Sequence, residues 1–232
     1  MLFTKRKPSD LSAPSIVIIF TGFLALFASL YGYGYLSYNV FQDDKFAMDE
    51  RAFELVMRMA FTGDDWLAKG ISQAGSVVFI VVASVALLIY LLFFSRFSKW
   101  AGIYFILTMG GVSLLTKLMK SLSDRGRPAF KGEYDGVTSS FPSGHTSGAI
   151  AFYGFVMYLI AVSRLERKWK WTLNLIIIIL TILIGMSRVY LGVHFFTDVV
   201  AGYLFGVAWL LICLTAMEMT LWRKRKKGGH EH

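Results

Sequence analysis

The chain is poor in the residues that staple or punctuate a folded domain. Its single cysteine, Cys213, excludes an intrachain disulfide, so thiol usage says nothing about redox compartment. Only four prolines are present, Pro8, Pro14, Pro128 and Pro142, which leaves long stretches with nothing to interrupt a helix. Charged residues are 17% of the 232, against about 25% in an ordinary soluble domain. Histidine is scarce too: of four, His230 and His232 fall in the last three residues, leaving His145 and His194 for the body of the chain. Internal repeats are absent.

Apolar residues fill the gap, at 56% of the chain with a mean hydropathy of +0.56. Six stretches carry no charge at all: 11–42, 70–95, 100–116, 146–163, 171–187 and 199–217. Crossing a bilayer takes about 20 apolar residues as a helix, and none of these runs alternates as a barrel strand does. The expectation is an all-α integral membrane protein with six transmembrane helices. Lys5, Arg6 and Lys7 ahead of the first run resemble a secretory leader, but a leader's apolar region is about 7–15 residues, so an uncleaved helix is expected.

Charge placement sets the expected topology. Fourteen of the 24 basic residues lie in the amino-terminal arm, the links "SRFSKW" and "RLERKWK" and the tail "RKRKK". The alternate segments carry eleven of the 15 acids. Basic residues stay on the cytoplasmic side, so both termini are expected there, in a multi-pass protein of the cell membrane. The net charge of +9 is thereby assigned to topology and anionic headgroups, with no nucleic-acid partner and no obligatory protein partner implied. Residues 1–222 read as one domain and 223–232 as an unstructured basic tail. Between the first two spans, Phe53, Val56, Met57, Ala60 and Phe61 recur at helical spacing, which predicts an amphipathic helix in the membrane interface. The small residues "GGVS" of the third span suit close packing, within the chain or between chains.

The remaining ionisable residues gather at the expected outer ends of the spans: Lys117, Lys120, Arg125, Arg127, His145, Arg188, His194 and Asp198. Such groups are costly at membrane depth and mark function by default. Lys117 alone is accounted for by snorkelling to the headgroups. His194 and Asp198 are four apart, a spacing that puts them on one face of a helix, where the carboxylate can fix the imidazole tautomer. Two histidines and an aspartate suit a metal as well as an oxyanion. Lys120, Arg127 and Arg188 repel a divalent cation and match phosphate oxygens, which favours the oxyanion. In "FPSGHTSG", Ser143 opens a helix whose first amides point at a bound anion, and Gly144 admits close backbone approach.

Three motifs carry a family resemblance: Lys120 followed after six residues by Arg127–Pro128, then "PSGH" (142–145), then "SRVYLGVHFFTD" (187–198). Their order and content resemble the type-two phosphatidic acid phosphatase family, which includes soluble acid phosphatases and vanadium haloperoxidases. The resemblance implies a membrane lipid phosphatase needing no metal or cofactor, and the charge placement puts all three motifs on the expected extracytoplasmic side. His194 would attack phosphorus to form a phosphohistidine, Asp198 would orient it, and His145 would protonate the leaving group and then activate water. Lys120, Arg127, Arg188, Ser143 and the Gly144 amide would hold the phosphate oxygens. It also implies phosphatidylglycerol phosphate as the first substrate, with undecaprenyl pyrophosphate next. A lipid phosphotransferase would share every one of these residues, and an anion transporter would share the cations.

Overall fold

The computed structural model describes residues 13–42, 46–59, 65–128 and 138–228. The Lys5–Arg6–Lys7 arm, Ala60, Phe61, Gly132, Gly136 and the last four residues lie outside the described residues. Among the described residues there are only helices: α1 (Ala13–Phe41), α2 (Ala47–Met59), α3 (Trp66–Gln73), α4 (Val77–Ile89), α5 (Lys99–Leu122), α6 (Gly144–Val162), α7 (Arg167–Tyr190) and α8 (Phe196–Gly228). Charge-free apolar sequence buries its backbone polar groups without water only by helical hydrogen bonding, so this outcome follows from composition.

Five of these units are long and apolar enough to span a bilayer: Trp66–Phe94, Lys99–Leu122, Gly144–Val162, Arg167–Tyr190 and Phe196–Lys224. The first joins α3 to α4 through a bend at Ala74–Ser76, and a π-helical turn at Tyr90–Phe94 ends it. Ser76 restarts the helix, its Oγ accepting from the Phe79 N–H at 3.2 Å. The span expected from Gly70 therefore starts a turn earlier, because Trp66, Leu67 and Ala68 continue the helix past the lone charge of Lys69. At the other end of the chain, α8 runs unbroken to Gly228, so the basic run expected to be unstructured continues the last helix.

α6 and α8 meet through glycine. A Cβ on Gly202 would stand 2.8 Å from the Ser143 carbonyl oxygen, and one on Gly206 would stand 1.8 Å from Ile150 Cγ2. Four residues apart, the two glycines share one face of α8 and let the backbones approach. That contact brings the start of α6 against the start of α8. Gly111 of α5 likewise faces the Trp209 ring of α8, and Trp209 Nε1 donates to the Thr108 carbonyl at 3.0 Å. The "GGVS" stretch thus packs within the chain through Gly111. Phe105, Phe152 and Phe155 fill the interior beside it, with the Phe105 and Phe155 rings edge to face at 5.1 Å.

α1 lies on α8, with Leu36 and Val40 against Ala201 and Phe141. α2 is helical as its periodicity predicts, but its apolar face is divided. Phe53 and Val56 pack on Val189, Tyr190, Val199 and Tyr203 of α7 and α8, while Met48, Leu55 and Met57 stay exposed. α2 is therefore docked on the bundle by Phe53 and Val56.

Candidate active site

The first turn of α6 carries the "PSGH" residues. Ser143 precedes the helix in an extended conformation. Its hydroxyl accepts from Thr146 Oγ1 at 3.0 Å instead of capping, and its N–H donates to the Asp198 carbonyl at 3.0 Å. The second and third motifs are thus joined through backbone. Ser147 N–H is the first in α6 to return to an intrahelical acceptor, the Ser143 carbonyl at 3.0 Å, leaving the amides of residues 144–146 for an anion.

His194 does not sit on a helix, as the spacing to Asp198 had suggested. α7 stops at Tyr190, Gly192 adopts a left-handed conformation (φ 69°), and His194 lies in the turn before α8. Asp198 lies in the first turn of α8 and accepts from the Phe195 N–H through Oδ2 at 2.9 Å. The chain folds back enough that His194 Nδ1 lies 3.4 Å from the same Oδ2. This is an ion-pair distance rather than a tight hydrogen bond, and such contacts shorten when substrate binds. It leaves Nε2 as the nitrogen away from the carboxylate.

A cavity of about 560 Å³ lies in front of this pair. Lys120, Arg127, Gly144, His145, Arg188 and His194 line one end. Val77, Ile80, Val81 and Val85 of α4 and Met109 and Val112 of α5 line the rest. Six of the eight residues expected to act together therefore share one cavity. Asp198 lies behind His194, and Ser143, fully buried, is not among the lining residues. Each cation is held in place: Lys120 Nζ donates to the Ser139 carbonyl at 2.5 Å, Arg127 Nη1 to the Val193 carbonyl at 2.9 Å, and Arg188 Nη1 to Ser72 Oγ at 2.5 Å.

Behind Asp198 stands a network in which only Arg125 was visible in the sequence. Arg125 Nη1 donates to Asp198 Oδ1 at 2.5 Å and Nη2 to Asp49 Oδ2 at 2.8 Å. Asp49, from α2, also accepts from the Thr197 N–H at 2.8 Å and the Thr197 hydroxyl at 2.9 Å. Arg125 was visible as a costly charge without a partner. Asp49 and Thr197, like Ser72, carried no sequence signal. Burial pushes the His194 imidazole down to about 4, the Lys120 and Arg188 charges press the same way, and Asp198 opposes them. At neutral pH the ring is uncharged, the state a nucleophile needs.

A neutral, oriented imidazole facing three fixed cations at the head of an apolar cavity is equipped to handle a phosphoryl group inside a membrane. The chain belongs to the PAP2 superfamily, whose family model matches residues 101–222 and so takes in every motif residue from Lys120 to Asp198. It is accordingly a multi-pass membrane hydrolase of the lipid phosphatase kind. It is 32% identical to phosphatidylglycerophosphatase B of Bacillus subtilis (strain 168) over 68% of this chain and 77% of that one. An undecaprenyl-diphosphatase of Sulfolobus acidocaldarius is 40% identical over 35% of this chain and 34% of its own length. Among solved structures, the transmembrane PAP2-type phosphatidylglycerolphosphate phosphatase of Bacillus subtilis superposes with a TM-score of 0.71 at 26% identity, covering 84% of this chain and 96% of that one.

Proposed function

We propose that the protein removes the terminal phosphate of a lipid phosphate at the outer face of the cell membrane, through a phosphohistidine on His194. The observation that carries this reading is the lining of the cavity: cations and imidazoles from the end of α5, the start of α6 and the end of α7, together with apolar surface of α4 and α5. A lipid phosphate has the same two halves. His194 Nε2 attacks phosphorus in line, and the bond from phosphorus to the lipid oxygen breaks. His145 gives its proton to that oxygen, then takes one from a water molecule, which attacks the phosphohistidine and releases inorganic phosphate as the phosphorus–nitrogen bond breaks. Lys120, Arg127, Arg188 and the amides at the start of α6 hold the phosphate oxygens as charge shifts. Asp198 keeps Nδ1 protonated and balances the imidazolium. Ser143 contributes by fixing the turn.

Six spans complete the topology: the five already named and α1, whose 29 residues carry no charge. Basic residues in the links at 96–99 and 164–170, and beyond 222, support a cytoplasmic location for that end of the bundle and an outer location for the cavity's polar end. Likeness to phosphatidylglycerophosphatases over most of the chain favours phosphatidylglycerol phosphate as substrate. The undecaprenyl-diphosphatase relative supports undecaprenyl pyrophosphate as the second reading, and that lipid is released on the outer side.

The test is phosphate release by the purified protein from both lipids side by side. His194→Ala and His145→Ala each abolish release while leaving a folded, monodisperse protein, and ³²P from labelled substrate is trapped on the wild-type protein as an acid-labile adduct. Full activity in His194→Ala refutes the nucleophile. Phospholipid phosphate appearing on a second lipid instead of in solution turns the reading to phosphotransfer.

A further inference from the structure

The cavity holds one cation that the reaction above does not use. Lys117 lines it beside Lys120, one turn nearer the middle of α5. Gly110, Ser113, Lys117 and Lys120 recur at spacings of three, four and three, which puts all four on one face of the helix, and all four line the cavity. A polar strip thus leads from the reacting end toward the apolar walls. Snorkelling explains a lysine aimed at the headgroups, but not one that lines the cavity where the substrate lies. Among the described residues no carboxylate pairs with Lys117. From α4, Ser84 lines the same cavity, and its Oγ is buried without a hydrogen-bond partner among the described residues.

We infer that Lys117 binds a second, uncleaved phosphate on the lipid side of the one being removed. The protein is then selective for lipids that carry two phosphates in series. The inference rests on the cavity being a lipid phosphate site. Three residues along a helix advance about 4.5 Å, so the Lys117 ammonium reaches the group that follows the reacting phosphate toward the tail. In a diphosphate lipid that group is a phosphate joined through one oxygen. In a glycerophosphate-capped lipid it is a phosphodiester a glycerol away. In phosphatidic acid it is an uncharged ester, which offers an ammonium no charge to bind. Lys117 is exposed on this side of α5, and a charge-assisted contact, about twice as strong as a neutral one, discriminates among the three.

Phosphate release is compared for wild type, K117M and K117R in mixed micelles of phosphatidic acid, a polyprenyl diphosphate or phosphatidylglycerol phosphate. Methionine keeps the length of the side chain and removes its charge. With K117M, KM rises about tenfold for at least one two-phosphate lipid, as loss of a bond to a charged group predicts. Turnover of phosphatidic acid stays within twofold, which also shows the variant folded, and K117R restores most of the loss. The lipid that loses more reports the spacing between the two phosphates. An equal loss on all three lipids, or no change on any, overturns the inference. Absence of phosphate release by wild type from every lipid overturns the lipid-phosphatase reading itself, a separately visible result.

Discussion

The Arg125 guanidinium donates to Asp198 Oδ1 at 2.5 Å, and its other terminal nitrogen reaches Asp49 at 2.8 Å. The carboxylate beside His194 is therefore linked through Arg125 to α2, a helix elsewhere on the chain. Removing one partner of a buried ion pair costs about 3–5 kcal/mol, because the charge left behind has no compensation. Arg125→Ala leaves two such charges, Asp49 and Asp198. The expected outcome is a loss of stability of that size, seen as a lower unfolding midpoint, and a loss of turnover. Thermal unfolding in detergent and kcat measured on the surviving folded fraction check it.

Burial holds the His194 ring near 4, below the usual 6.5 of an imidazole. Between those values the unfolded chain binds a proton that the folded chain does not, so this residue's contribution to stability is lost as pH falls through that window. Nitrogen-15 spectra of histidine-labelled protein at pH 5 are expected to show a neutral imidazole signal that is lost in His194→Asn. An imidazole from that position titrating near 6.5 refutes the assignment.

Gly202 is the tightest point between α8 and the catalytic turn. Its substitution by alanine drives a methyl against the Ser143 carbonyl, 2.8 Å away, and backbone has no rotamer through which to yield. Overpacking costs about 1–3 kcal/mol, and displacement of a catalytic turn by 1 Å lowers turnover about a hundredfold. Gly22→Ala on α1 serves as control, since nothing lies within 4 Å of its Cβ. Gly202→Ala loses kcat; Gly22→Ala does not.

Ser72 is the acceptor for Arg188 Nη1 at 2.5 Å, yet it belongs to the short α3 rather than to any motif. Ser72→Ala removes about 1 kcal/mol of positioning from that arginine. KM and the inhibition constant for vanadate, a phosphate mimic, are both expected to rise about fivefold, with little change in unfolding temperature. A shift in neither constant excludes a role in anion binding.

The candidate site residues were legible because each is an ionisable group in sequence that otherwise excludes charge. His145, His194 and Asp198 stood out against apolar surroundings, and five of the six expected spans followed from long charge-free runs. Periodicity predicted α2 but could not say what its apolar face covers, since a helix buried against lipid and one buried against α7 have the same pattern. Asp49 was hidden among the seven acids of residues 41–69, which composition assigns to solvent. Its partners Arg125 and Thr197 are 76 and 148 residues away, and no local spacing rule reaches that far. The His194 turn was misread as helix because a four-residue spacing also fits a capped turn closed by an aspartate.

The apolar wall of the cavity also reaches the outside of the bundle. Val77, Val81 and Val85 line the cavity while remaining 71%, 54% and 54% exposed, so the surface proposed to hold a lipid tail is continuous with the outer surface of the bundle. An enzyme with such an entrance samples its substrate in two dimensions. Its rate follows the mole fraction of phosphorylated lipid in the bilayer, and not the amount of lipid per volume of buffer. Diluting that lipid with an inert one slows the reaction even when every molecule is still present.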